Sequence, residues 1–214
     1  MKQQEGQRAS MMHTVLEALR NDINNCKYES GQFITESEIS QKFNVSKTPA
    51  REALNYLCQE GILEKIPRKG YLVKRLSLAE LRNLFQFRNI LERASVEWAI
   101  RYATTRELEA LCELARCKLK PGEENLANRY NDLNVNFHIS VANLSRNPYL
   151  VSALQNTLNL LRLDLFVDMR QNSLEKALGA HILIAEAMLD RDLEKALRLT
   201  SDQMDEVEKR LYLR

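Results

Sequence analysis

Glycine and proline are scarce in this 214-residue chain, six and four in all. They are also unevenly placed: Gly31, Pro49, Gly61, Pro67 and Gly70 fall close together, and beyond them come only Pro121, Gly122, Pro148 and Gly179. So sparse a supply of turn-formers after residue 75 excludes an all-β second half and favours long helices. No run of about 18 apolar residues occurs, which excludes a membrane-spanning helix. Met1 to Ser10 has no apolar core, so no secretory leader is expected and the cytoplasm is the expected location. The four cysteines (Cys26, Cys58, Cys112, Cys117) contain no C-x-x-C pair. They read as reduced, structural residues rather than a metal knuckle.

An excess of charge of either sign is also lacking: 31 Lys and Arg oppose 29 Asp and Glu, a net +2. The local pattern is more informative. Lys65, Arg68, Lys69, Lys74 and Arg75 crowd one short stretch opposed only by Glu64. A basic cluster of this kind is the electrostatic footprint of a nucleic-acid contact.

The expected fold is mainly α: a small mixed domain over 1–75 and an all-helical domain of about six helices over 76–214. In the first, Val15, Leu16, Leu19 and Ile23 recur at helical spacing within Ala9–Cys26. Thr35 and Glu38 have the spacing of a capping box at the start of a short helix ending near Phe43. A second helix begins at Ser46 after the turn Asn44-Val45, buries Leu54, Leu57 and Cys58, and stops at Gly61. Ile62–Ile66 and Tyr71–Val73, joined by Pro67-Arg68-Lys69-Gly70, read as a β-hairpin. The second domain reads as helices over 77–103, 105–119, 124–144, 148–169, 173–190 and 192–212.

Helix, short helix, turn, helix and basic hairpin make the order of a winged helix-turn-helix. The second helix of such a pair must expose small polar and cationic side chains at its N-terminus, where they meet phosphates and base edges. Ser46-Lys-Thr-Pro-Ala-Arg51 has this character, with Pro49 tolerated in the first turn and the helix end itself suited to a phosphate. Each residue alone also fits a solvated helix start, and the basic tip fits a solvated turn.

The order from Thr35-Glu-Ser-Glu-Ile-Ser through Asn44-Val-Ser-Lys-Thr-Pro-Ala-Arg-Glu-Ala-Leu54, then Gly61-Ile-Leu and Gly70-Tyr-Leu-Val, closely resembles the GntR family of bacterial regulators over about residues 11–74. The resemblance implies that Ser46, Lys47, Thr48 and Arg51 contact DNA and that Lys69 and Gly70 form the wing tip. It places Ser37 where some members use arginine toward DNA, and Lys47 where arginine is usual.

The helical domain carries polar residues on apolar stripes. Arg88 falls among Leu81, Leu84, Leu91, Val96 and Ala99. Asn134 and His138 flank the stripe Tyr130, Leu133, Phe137, Val141. His181 lies between Leu178 and Ala185, and Gln203 between Thr200 and Val207. Stripes face the core, and a buried charge or imidazole needs a partner there. Three readings stay open: a satisfied polar core with Arg88 paired to Glu92 at i+4, an anion pocket in which Arg88 clamps a carboxylate, and a metal site from Asn134, His138, His181 and Gln203.

The spacing of Arg88, Glu92, Asn134-x-x-Phe-His138, Asn147-Pro148 and His181 is similar to the FadR-type (FCD) sensor domain of GntR regulators, over roughly 77–212. The resemblance implies an effector site at Arg88, Asn134, His138, His181 and Gln203. It also implies a divalent metal (zinc, nickel or manganese) in many members, held by an aspartate and three histidines. Here Asn134 and Gln203 replace two of those ligands, so only a weak metal site is expected.

The expected function is therefore a transcription regulator: a cytoplasmic homodimer that binds a double-stranded DNA operator under control of a small organic acid, with Leu72–Leu84 as hinge. The alternative is a helical metal-dependent enzyme using His138 and His181 with an accessory DNA-binding domain. Against that stands the want of a nucleophile–base pair or a third strong metal ligand.

Overall fold

The computed structural model describes residues 2–117, 126–171 and 174–212. The chain forms two compact units, Met1–Arg75 and Leu76–Arg214.

The first unit contains α1 (Lys2–Asn24), β1 (Phe33–Ile34), α2 (Glu36–Lys42), α3 (Lys47–Gln59), β2 (Leu63–Ile66) and β3 (Gly70–Val73). Helix α1 packs on α3, burying Val15, Leu16, Leu19 and Ile23 with Ala50, Ala53, Leu54 and Leu57. Cys58 is only half-buried, because it sits at the edge of the α3 stripe. The capping box of α2 is formed: Thr35 N donates to Glu38 Oε2 at 2.7 Å and Glu38 N donates to Thr35 Oγ1 at 3.2 Å. Asn44 turns the chain between α2 and α3 with φ 51°, a left-handed conformation that asparagine tolerates.

The hairpin is present, with one addition. Strand β1 pairs antiparallel with β3, giving a three-stranded sheet of order β1-β3-β2. Two residues carry too little pattern to be read as a strand; only the partner strand defines them. Gly70 is required by this pairing. Its φ is 116°, and a Cβ there would lie 2.7 Å from the Ile34 carbonyl oxygen. The wing tip is a type II-like turn: Lys69 N donates to Ile66 O at 3.1 Å, with Pro67 second and Arg68 third at φ 65°.

The second unit holds α4 (Leu78–Tyr102), α5 (Thr105–Ala115), α6 (Leu126–Leu144), α7 (Pro148–Gln171), α8 (Leu174–Leu189) and α9 (Leu193–Tyr212). Helices α4 and α5 each open with a further capping box, Ser77/Glu80 and Thr104/Glu107. Helix α7 opens with Pro148 behind Asn147, whose Oδ1 accepts from the amides of Tyr149 and Leu150. Helix α5 ends at Ala115, four residues before its expected end. The expected breaks at Pro121-Gly122 and Asn172 lie outside the described residues.

Two apolar clusters bracket the polar residues of this unit. One joins Val96 and Ala99 of α4, Phe137 and Val141 of α6, Ile184 and Ala185 of α8 and Ala196 of α9. The other joins Leu81 and Phe85 of α4, Tyr130 of α6, Leu161 of α7, Leu178 of α8 and Val207 of α9. On α4, α8 and α9 the polar stripe residues lie between the two clusters, as does Asn134 on α6, while His138 lies within the span of the first cluster.

Candidate functional site

In the first unit, the N-terminus of α3 is open. Ser46 is its N-cap, yet its side chain makes no capping hydrogen bond. Ser46, Lys47 and Thr48 are exposed, while Pro49 is buried and fixes the first turn against the core. Ser37 and Lys69 are exposed as well, and the Lys69 ammonium lies 5.9 Å from the Phe33 ring centroid.

Arg51 is held in a fork. Its Nε and Nη2 donate to Glu36 Oε1 and Oε2, both at 2.8 Å. Glu36 also faces the Tyr71 hydroxyl at 3.3 Å, which reaches Asn55 Oδ1 at 3.1 Å. The Arg51 fork holds the Glu36 carboxyl below the ordinary range. Burial, with the Glu36 carboxylate nearby, pushes Tyr71 up to about 12. Thus α2, α3 and β3 jointly aim one arginine, roughly half of whose side chain remains exposed. Sequence reasoning found Arg51 and missed Glu36 and Tyr71, whose roles depend on contacts between three elements. The third histidine, His13, is exposed on α1.

In the second unit, the structure buries all five expected effector residues: Arg88, Asn134, His138, His181 and Gln203. They form a polar layer between the two apolar clusters. Arg93 fixes the level of α9 against α4 by donating from Nη1 to Ser201 Oγ at 2.8 Å. Val207 packs with Leu81 and Phe85, so Gln203 falls at the height of Arg88.

Glu92 is the centre of the layer. Arg88 Nε donates to its Oε1 at 3.0 Å, and His138 Nδ1 lies 2.9 Å from its Oε2. The i+4 pairing of Arg88 is therefore present, but the same carboxylate also orients an imidazole. Burial pushes the Glu92 carboxyl up, and the His138 ring and Arg88 guanidinium outweigh it and hold the group below its usual value. Burial lowers His138, opposed by Glu92. It lowers His181 much further, with His138 and Arg88 acting in the same direction. Burial thus works against the charged form of both rings. With Glu92 ionised, Nδ1 of His138 carries a proton toward it.

The His181 ring stacks on Phe137, with centroids 4.2 Å apart, and meets the His138 ring edge-on at 5.0 Å. Nε2 of His138, Nε2 of His181 and Oε1 of Gln203 are buried without a hydrogen-bond partner. So are both side-chain polar atoms of Asn131 and Oδ1 of Asn89. Sequence reasoning missed these two asparagines; Asn131 lies one turn before Asn134 and is fully buried. By contrast, the hydroxyls of Ser95 and Thr200 are satisfied by carbonyls of their own helices.

A resident metal does not fit this donor set. Two imidazole nitrogens are available, but Asn134 and Gln203 offer only weak amide oxygens, and both oxygens of Glu92 are engaged. Among the described residues no group of three His, Cys, Asp or Glu side chains is placed to hold an ion. Metal sites of the relevant kinds use three or four strong donors.

A wing and an open, cationic recognition helix define a winged helix-turn-helix DNA-binding protein, here joined to a helical unit with an unsatisfied polar interior. The GntR family model of bacterial regulatory proteins matches residues 12–73 and the FCD domain model matches residues 83–206. The chain belongs to the GntR family of bacterial regulators, in the branch that carries an FCD domain. It is 29% identical over 164 residues to the Nta operon transcriptional regulator of Aminobacter aminovorans, covering 77% of each chain. It is 24% identical to the gluconate operon transcriptional repressor of Bacillus licheniformis, covering 94% of this chain and 85% of that one. Among solved structures, E. coli McbR/YncC superposes with a TM-score of 0.80 at 20% identity, over 95% of this chain and 97% of that one. The likeness confirms the fold. The protein is a DNA-binding transcription regulator, and its named relatives are regulators rather than enzymes. Among the described residues no helix is long and apolar enough to cross a membrane.

Proposed function

We propose that this regulator binds its operator through Ser46, Lys47, Thr48 and Arg51 of α3, with Ser37 beside them and Lys69 and Gly70 at the wing tip. We further propose that a small carboxylate-bearing metabolite in the polar layer controls that binding. The observation that carries the second reading is the buried, unpartnered set at His138, His181 and Gln203, next to an arginine bonded to described residues only through Nε. Leaving a buried polar atom unpaired costs about 1–3 kcal/mol, so several in one layer mark a place where a ligand supplies the partners. Nη1 and Nη2 of Arg88 form the planar edge that grips a carboxylate bidentately. Asn134 lines the same layer.

The two activities are linked thermodynamically: if the effector changes operator affinity, DNA changes effector affinity by the same factor, commonly about 5–150-fold. The protein acts as a cytoplasmic homodimer in this reading, presenting two recognition helices to a two-fold operator. An exposed apolar patch on α4 (Phe87, Ile90, Trp98), turned away from the buried face of that helix, supports the dimer.

The test is Arg88→Ala, assayed by operator-binding titration with a panel of organic acids. The expected result is operator affinity within about twofold of wild type and no response to the acid that moves the wild-type protein. A response that persists in the variant removes the carboxylate clamp.

A further inference from the structure

We propose that Lys65, on the first strand of the wing, holds a phosphate of the DNA backbone between the groove that α3 enters and the groove that the wing tip reaches. This rests on the reading of α3 and the wing as the DNA interface, and adds to it a contact that carries affinity rather than sequence.

The sheet register sets Lys65 on the inward side of β2. Leu63 with Val73, and Ile34 with Tyr71, are buried against the core, and Lys65 shares their side because it pairs with Tyr71. Glu64 points the other way, with Leu72 and Phe33. An inward strand position ordinarily takes an apolar residue. Lys65 is nevertheless exposed, and its ammonium stands 5.5 Å from the Tyr71 ring centroid. A long cationic side chain covers apolar surface with its stem and keeps its charge in water.

That charge emerges beside the recognition helix. Tyr71 reaches Asn55 of α3 and Glu36 at the start of α2. The Glu36 carboxyl, held low first by Arg51, is lowered further by Lys65. The Cys58 thiol of α3, pushed up by burial, is drawn down by the same ammonium. Both Glu36 oxygens are committed to Arg51. Among the described residues the Lys65 ammonium makes no hydrogen bond or ion pair.

The cations of this unit fall into two sets. Arg20, Lys27, Lys42 and Arg51 are each paired with a carboxylate. Lys47, Lys65, Arg68 and Lys69 are exposed and have no carboxylate partner among the described residues. The second set marks out the start of α3 and the wing. A paired ammonium gives up one anion to take another, whereas an unpaired one gains the whole phosphate contact and releases a counterion from the duplex. Lys65 is set back from the tip by about three residues, roughly 10 Å along the strand. The backbone strand that separates two adjacent grooves crosses that interval when a recognition helix occupies one groove and a wing the other.

Two structural roles would also place a lysine here. Strand β2 is an edge of the sheet, where an inward charge discourages pairing with another chain, and the ammonium over Tyr71 is a weak cation–π contact. Neither role changes how DNA binding depends on salt. A phosphate contact does, because each one lost reduces the slope of log K against log salt by about 0.9.

Lys65→Gln, in the full-length protein, keeps most of the stem and removes the charge. Its binding is titrated across a salt series with a duplex selected by the wild-type protein from a random pool, and with a scrambled duplex of equal length. Both affinities should fall together, about three- to tenfold at low salt, with a slope shallower by about one, and Lys65→Arg should restore the slope. In the wild-type protein either duplex should shield Lys65 from acetylation by acetic anhydride, read by mass spectrometry, which needs no variant to fold. An unchanged slope, or equal labelling with and without DNA, overturns the Lys65 contact. Lys69→Gln separates the two readings: if it flattens the slope while Lys65→Gln does not, the wing stands as an interface and only this inference fails. If neither Lys69→Gln nor Arg51→Ala weakens binding of either duplex, the interface reading falls and takes Lys65 with it.

Discussion

At the scale of single residues, Glu36 and Glu92 do the same work in two different units: each carboxylate orients a candidate site residue that the sequence already singles out. Glu36 grips Arg51 through two hydrogen bonds of 2.8 Å and is itself steadied by Tyr71. The pair is partly exposed, so its contribution to stability is small. Its contribution to aim is larger, because a guanidinium reads a base edge only in one plane. Glu36→Gln is therefore expected to shift Tm by no more than a few degrees and to weaken specific operator binding about five- to tenfold. Non-specific binding, which is set mainly by phosphate charge, should hold or strengthen. Titrations against operator and scrambled DNA check this; parallel losses on both would remove Glu36 as a positioning residue.

At the scale of elements, the four helices α4, α6, α8 and α9 each interrupt an apolar stripe at one level, and that choice makes the unit acid-sensitive. His138 and His181 have lowered pKa values in the folded protein, from burial first, while in the unfolded chain both titrate near about 6.5. Below that pH the unfolded state binds protons that the folded state does not, so stability falls as pH falls. The slope is at most about 1.4 kcal/mol per pH unit for each histidine. Glu92, held below its usual value, adds to the loss only at lower pH, once the unfolded carboxyl begins to protonate. Thermal denaturation between pH 8 and pH 5 should show a steady Tm down to about 7 and a decline below it. His181→Asn should flatten that decline. A wild-type curve that is flat to pH 5 would mean that the two rings are not buried neutral groups.

These elements were unevenly legible from the chain itself. Helices α4 to α9 follow from stripes several turns long, and the capping residues Thr35 and Glu38 sit where their spacing places them. Strand β1 was invisible, because two residues have no periodicity and their strand character comes from pairing with β3. The capping boxes of α4 and α5 went unread, although Ser77/Glu80 and Thr104/Glu107 have the same spacing. Of the candidate site, Arg88, His138, His181, Asn134 and Gln203 could be read because each breaks a stripe. Asn131 sits among polar neighbours on its helix, and only packing shows that it is fully buried.

For the whole molecule, the open question is how one recognition helix becomes an operator reader, and the proposed answer is a second copy. Ile90 is 65% exposed and lies about half a turn from the face that carries Arg88 and Glu92, with the exposed Phe87 and Trp98 within about a quarter turn of it. Ile90→Lys places a charge on that patch without touching the core. The expected outcome is a protein that stays folded, halves in mass by light scattering and loses operator affinity at least tenfold. A variant that remains dimeric moves the interface off α4.

The chain alone determined the parts whose signals are local: the wing and recognition helix, from turn residues and an exposed cationic helix start, and six amphipathic helices with polar interruptions. The tertiary structure decided what those interruptions do together. Sequence spacing cannot tell whether a polar residue on an apolar stripe is satisfied, because its partner lies on another helix. Packing these helices together left Glu92 shared between Arg88 and His138 and left Nε2 of His138 and His181 buried without hydrogen-bond partners, which a fully satisfied polar core would not do.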